Sequence, residues 1–86
     1  MLPMKTRILE YGIQKDAGFD ADEMMSALAP QYGTEKMCSR KQVEEYLDSF
    51  LGVGFMKAEN LELDQSGNLH VTYVVTDYGK SRQKYL

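Results

Sequence analysis

Apolar residues occupy every second position at Leu69, Val71, Tyr73 and Val75, and the run passes without a loop into Thr76, Asp77, Tyr78 and Gly79. Strict alternation marks a strand with one buried face. Thr76 is a helix start, because its hydroxyl can accept an amide of the first turn while Asp77 sits at the positive end of the helix dipole. A strand that becomes a helix with no turn between them leaves few architectures open. Its partner strand lies just upstream: Leu61 and Leu63 share a parity, and the turn-rich residues Asp64, Gln65, Ser66, Gly67 and Asn68 separate the two runs. A hairpin is therefore predicted, with an irregular entry or a bulge at residues 57–60, where alternation is lost.

The first 54 residues read as three helices, with the nine residues 30–38 as a connector before the third. Met4, Ile8, Leu9, Tyr11 and Ile13 lie on a broad apolar arc over residues 4–15, with Pro3 suited to a first helical position. Gly18 stops that helix. Asp20 and Glu23 form a capping box, with Phe19 and Met24 as a hydrophobic staple, so a second helix begins near Ala21. It should end around Ala29, since the residue before Pro30 is pushed away from helical backbone. Ser39 and Gln42 repeat the capping box, with Cys38 and Val43 at the staple positions. Val43, Tyr46, Leu47, Phe50 and Leu51 then mark one buried face of a third helix. Gly52 is the expected left-handed cap, with Val53 folding back on the last turn. A final short helix spans 77–85, with Lys80, Arg82 and Lys84 toward its negative end.

The chain has 86 residues, 43% hydrophobic and 27% charged, which fits one domain and demands that every element contribute to packing. No apolar run approaches the roughly 18 residues of a membrane span, and Lys5, Thr6 and Arg7 interrupt any secretory leader. The single cysteine cannot form an internal disulfide. These features give the expectation of a cytoplasmic protein with no membrane partner. The formal charge of −3 argues against a generic polyanion binder but leaves room for a local basic patch.

The order helix, helix, helix, hairpin, helix resembles bacterial winged helix-turn-helix regulators of the PadR, HxlR and MarR kind. The resemblance rests on Gly54, Phe55 and Met56 after the third helix, then a hairpin, then the exit Tyr73, Val74, Val75, Thr76, Asp77, Tyr78 and Gly79. It implies an α+β fold, a small winged helix with a three-helix core, a two-stranded wing and a short C-terminal helix, over residues 1–86 as a single domain. It also implies sequence-specific binding of double-stranded DNA, with the third helix in the major groove. On that reading Arg40, Lys41 and Gln42 contact base edges or phosphates from the helix N-terminus, Ser39 is the cap that presents them, and Glu45 lies on the same exposed face. Ser66 and Asn68, with backbone amides, would meet phosphate from the wing.

Charge gives a second reading. Glu44, Glu45 and Asp48 would be repelled between phosphate rails, and residues 64–68 hold no cation. The alternative is a non-enzymatic module that binds another protein through the acidic face of helix three and the wing. A homodimer is expected, paired through helix one, the terminal helix with Tyr78, Tyr85 and Leu86, or both, because one winged helix supplies one half-site. Lys5 and Arg7, and Lys80, Arg82 and Lys84, could flank DNA but more simply solvate their helices. His70 lacks a companion His or Cys, so no metal site is expected. Gly52, Val53 and Gly54 do not open a helix, as a dinucleotide loop would, and no nucleophile, base and orienter are suggested by spacing. No enzyme activity, cofactor or small-molecule substrate is expected.

Overall fold

The computed structural model describes residues 3–32 and 39–83. The elements are α1 (Met4–Ile13), α2 (Ala21–Tyr32), α3 (Arg40–Gly52), β1 (Met56–Leu63), β2 (Leu69–Val75) and α4 (Asp77–Arg82). This is an α+β winged helix. The staple position of Cys38, and Lys84, Tyr85 and Leu86 at the end, lie outside the described residues.

The starts of α2, α3 and α4 are set by the side chains read for them. The Asp20 carboxylate accepts the Glu23 amide at 2.7 Å, and the Ser39 hydroxyl accepts the Gln42 amide at 3.1 Å. Phe19 and Met24, the staple pair, are both buried. Pro3 is the residue that caps α1, with extended backbone at ψ 144, one position ahead of the helix. Pro30 does not end α2 at Ala29 as expected; the helix runs on to Tyr32. Ala29 and Pro30 are both exposed, so the carbonyl that the proline leaves unbonded can turn to water, and the ring's crowding falls on the solvent side.

The exit from α3 also differs from expectation. Gly52 is still helical, Val53 is the cap and stands 59% exposed, and Gly54 takes the left-handed conformation at φ 84. The Phe55 amide reaches back to the Phe50 carbonyl at 2.9 Å and the Gly54 amide to the Leu51 carbonyl at 3.2 Å, the paired bonds of a Schellman cap. The accompanying apolar contact is Phe55 on Phe50, stacked with centroids 5.9 Å apart. One more helical residue places an aromatic ring, instead of Val53, over the last turn.

β1 and β2 pair antiparallel, with Leu63 opposite Leu69, Leu61 opposite Val71 and Met56 opposite Val75. The register slips between Ala58 and Asn60, the bulge predicted for that stretch. Phe19 adds a short third rung: its amide and carbonyl both bond Tyr73, at 3.0 and 2.7 Å. The core joins Ile8 and Leu9 of α1, Met24 and Leu28 of α2, Val43, Leu47 and Phe50 of α3, and the root of the hairpin at Met56, Tyr73 and Val75. Only the root is covered. Leu61, Leu63 and Leu69, on the same face farther out, are 62%, 72% and 57% exposed.

Thr76 joins three elements. Its hydroxyl donates to the Gly54 carbonyl at 2.7 Å and accepts the Gly79 amide at 3.0 Å, while its own amide bonds the Phe55 carbonyl at 2.9 Å. The strand therefore passes into α4 against the exit of α3, which explains the loop-free sequence at 75–77.

Candidate nucleic-acid interface

The N-terminal turn of α3 and the wing stand on either side of a cleft of about 460 Å³, lined by Asp22, Arg40, Glu44, Asn68, Leu69 and His70. Ser39 performs the capping role assigned to it and fixes the direction of the turn that carries the predicted contacts. Lys41 and Glu45 are exposed one turn apart, and Gln42 is half-buried.

Arg40 is engaged within the fold. Its Nε donates to Glu44 Oε1 at 3.0 Å, and its Nη1 donates to Asp22 Oδ1 across the gap to α2. The Asp22 bond raises the Arg40 pKa further above its ordinary value, and the guanidinium holds the Asp22 carboxyl below the usual carboxylate range. Both side chains are about half exposed, 50% for Arg40 and 56% for Asp22, so solvent screening keeps the pair exchangeable. These two bonds use Nε and one Nη1 hydrogen, so the remaining N–H donors of Arg40 can meet a phosphate or base while the carboxylates stay bonded. Lys41 carries no such bond.

At the wing tip Asp64 organises the turn. One carboxylate oxygen accepts the Ser66 and Asn68 amides, both at 2.9 Å, and the other lies 2.9 Å from His70 Nε2. The two backbone amides expected to meet phosphate are thus already bonded to Asp64; the Ser66 and Asn68 side chains remain exposed. The Asp64 hydrogen bond raises the His70 pKa, and the same bond lowers that of Asp64. The sign for stability follows for each group. His70, raised in the fold, contributes fully below its ordinary 6.5 and loses the contribution as pH rises through the higher folded value. Asp64, depressed in the fold, contributes above its ordinary 3.8 and loses it as pH falls through the lower folded value. The turn is therefore held tightest between those two ordinary values. Asp64→Asn is expected to lower the His70 imidazole titration, followed by NMR, because the largest cause of its upward shift is removed; an unmoved titration would show that another group sets it.

Sequence reasoning missed the reach of Asp22 to Arg40 and the pairing of Asp64 with His70. The pair of Arg40 with Glu44 was missed too, although their spacing of four residues on a helix is the signal that could have found it. Nothing local signalled Asp22, which arrives from a different helix. Among the described residues there is no group of His, Cys, Asp and Glu side chains that could hold a metal, and no helix is long and apolar enough to cross a membrane.

Comparison of structures places this arrangement among known folds. A protein of Thermoplasma acidophilum named as a candidate transcriptional regulator superimposes with a TM-score of 0.74 at 16% identity, over 95% of this chain and 74% of that one. A PadR-like transcriptional regulator of Bacillus cereus gives 0.70 at 17% identity, over 94% of this chain and 74% of that one. At this identity the likeness is one of fold: the chain has the winged-helix architecture these proteins share. No family model matches the sequence. No curated protein matches it either.

Proposed function

We propose that the chain is a transcriptional regulator that binds duplex DNA with sequence specificity, acting over residues 1–86 as one domain and pairing as a homodimer. The observation that carries this reading is the solvent-facing first turn of α3, with Lys41 exposed beside a wing, in a fold shared with named regulators. Lys41 and Gln42 supply the direct contacts, Ser39 presents them, and Arg40 joins through the N–H donors that its carboxylate partners leave over. Ser66 and Asn68 contribute side chains from the wing. Glu45 opposes phosphate and sharpens the dependence on position. The pairing surface is better supported on α4 than on α1. Tyr11 and Ile13 of the broad α1 arc already pack against the core, whereas Tyr78 is 53% exposed beside Val53.

The test is a salt series with duplexes selected from random fragments. Lys41→Ala is expected to weaken binding and flatten the logarithmic salt slope by about one unit for a lost phosphate contact, or to relax discrimination for a lost base contact. Glu45→Gln is expected to strengthen binding modestly, most at low salt. The complex should contain two chains per duplex; one chain per duplex would remove the homodimer. If the wild-type chain prefers no duplex over random DNA at any salt, the regulator reading fails. The protein-binding module is then the better account, and the carboxylates already bonded to Arg40 favour it.

A further inference from the structure

The hairpin is poor in positive charge. Between Lys57 and the end of β2 the sequence holds no lysine or arginine, and its carboxylates are Glu59, Glu62 and Asp64. His70, the one histidine of the chain, is the side chain there that can become a cation. It stands opposite Glu62 across the strand pair, where Asn60 Nδ2 already donates to Glu62 Oε1 at 2.8 Å. Its Nε2 lies 2.9 Å from Asp64 Oδ2, and it lines the cleft with Asp22, Arg40 and Glu44, Asp20 being close enough to act on its charge. Nδ1 makes no hydrogen bond among the described residues, and no buried side-chain nitrogen or oxygen there lacks a partner, so Nδ1 opens to water.

A proton changes what that nitrogen offers. In the neutral ring bonded to Asp64 through Nε2–H, Nδ1 presents a lone pair, which repels a phosphate oxygen; in the imidazolium it is an N–H donor. We propose that His70 is the charged phosphate contact of the wing and that it engages duplex DNA in its protonated form, so that duplex affinity rises as pH falls. Nε2–H stays on Asp64, Nδ1–H donates to the phosphate, and each wing takes one proton from solvent. The Asp64 bond pushes the His70 pKa above 6.5, so the cation prevails below that value and is lost as pH rises through the higher folded one. The carboxylates around the ring, Asp20, Asp22, Glu44, Glu62 and Asp64, favour the cation and Arg40 opposes it; a phosphate adds to the favourable side. This inference rests on the duplex-binding reading and deepens it: Ser66 and Asn68 supply neutral bonds, and His70 supplies the charge that the wing otherwise lacks.

The test measures the affinity of the full chain for a selected duplex by fluorescence anisotropy at fixed ionic strength, at about pH 6 and about pH 8, the range in which imidazole changes charge. The wild-type chain should bind about fivefold or more tightly per wing at the lower pH, the result of a phosphate that favours the imidazolium at least about tenfold. Its logarithmic salt slope should be steeper there by up to about one unit per wing. His70→Gln should abolish both differences. His70→Arg, a permanent cation, should bind tightly at both pH values, and an unchanged circular dichroism spectrum checks the fold of each variant. Duplex affinity that does not change with pH in the wild-type chain would overturn the proposal and leave the regulator reading standing. So would a pH dependence that survives in His70→Gln, which would assign the proton to another group. Failure to prefer any duplex over random DNA at either pH would remove the regulator reading and this inference together.

Discussion

Gly79→Ala is expected to lower stability by about 3 kcal/mol, near the upper end of what overpacking costs in a filled site. A β-carbon there would press into the Phe55 carbonyl oxygen, with the carbonyl carbon and Val75 Cγ1 each at 3.0 Å. Side chains can turn aside, but the Phe55 carbonyl cannot. It accepts the Thr76 amide, and the Phe55 amide is held by the Schellman bond to Phe50. At roughly 4 to 8 °C per kcal/mol in a domain of this size, the midpoint should fall by about 12 to 24 °C. Gly52→Ala is the matched control. Nothing lies within 4 Å of a β-carbon at that exposed helical position, so the substitution should be neutral or stabilise by up to about 1 kcal/mol. Equal melting of the two variants would contradict the packing described for α4.

Phe19→Ala should cost about 3 to 5 kcal/mol, the range for deleting a buried aromatic side chain. Phe19 is 1% exposed, meets Tyr11 edge-on at 6.0 Å and stacks on Tyr73 at 5.9 Å. Its ring also lies directly above Gly12, where a β-carbon would come within 2.9 Å of it. The cavity would open at the junction of α1, α2 and the wing root. In urea the midpoint should move down with little change in slope, and a substantial part of the population would be unfolded in a marginally stable chain. A shift below about 1 kcal/mol would mean that the site collapses around the loss or that the ring is not buried there.

The features legible in the sequence were those decided by neighbours along the chain. Ser39 and Thr76 cap their helices because a hydroxyl reaches an amide three residues ahead, and that geometry is local. The bulge near Glu59 was visible as broken alternation. Pro30 misled because helical backbone before proline is disfavoured and not forbidden, and α2 goes only two residues beyond the ring, to Tyr32. Gly52 was the expected cap; Gly54 took the role because Phe55, one residue after it, could cover Phe50. The fate of the hairpin leucines was not local at all. Alternation predicted one apolar face, yet burial ended at Tyr73, because the helices are long enough to cover the root and not the tip. The ion pair of Asp22 with Arg40 depends on how α2 docks against α3, and Asp64 with His70 on how the turn closes. Neither distance is written in a spacing.

The Thr76 junction has a mechanical consequence. A single side chain and its amide clamp the last strand to the exit of α3 and, through Gly79, to the start of α4. The Phe50, Phe55 and Tyr78 rings continue the clamp, with the latter two in edge contact at 5.4 Å. No linker lies between these parts to absorb a rotation. A torque on α4 therefore acts on the exit of α3 directly, so that the two helices turn as one lever about Thr76.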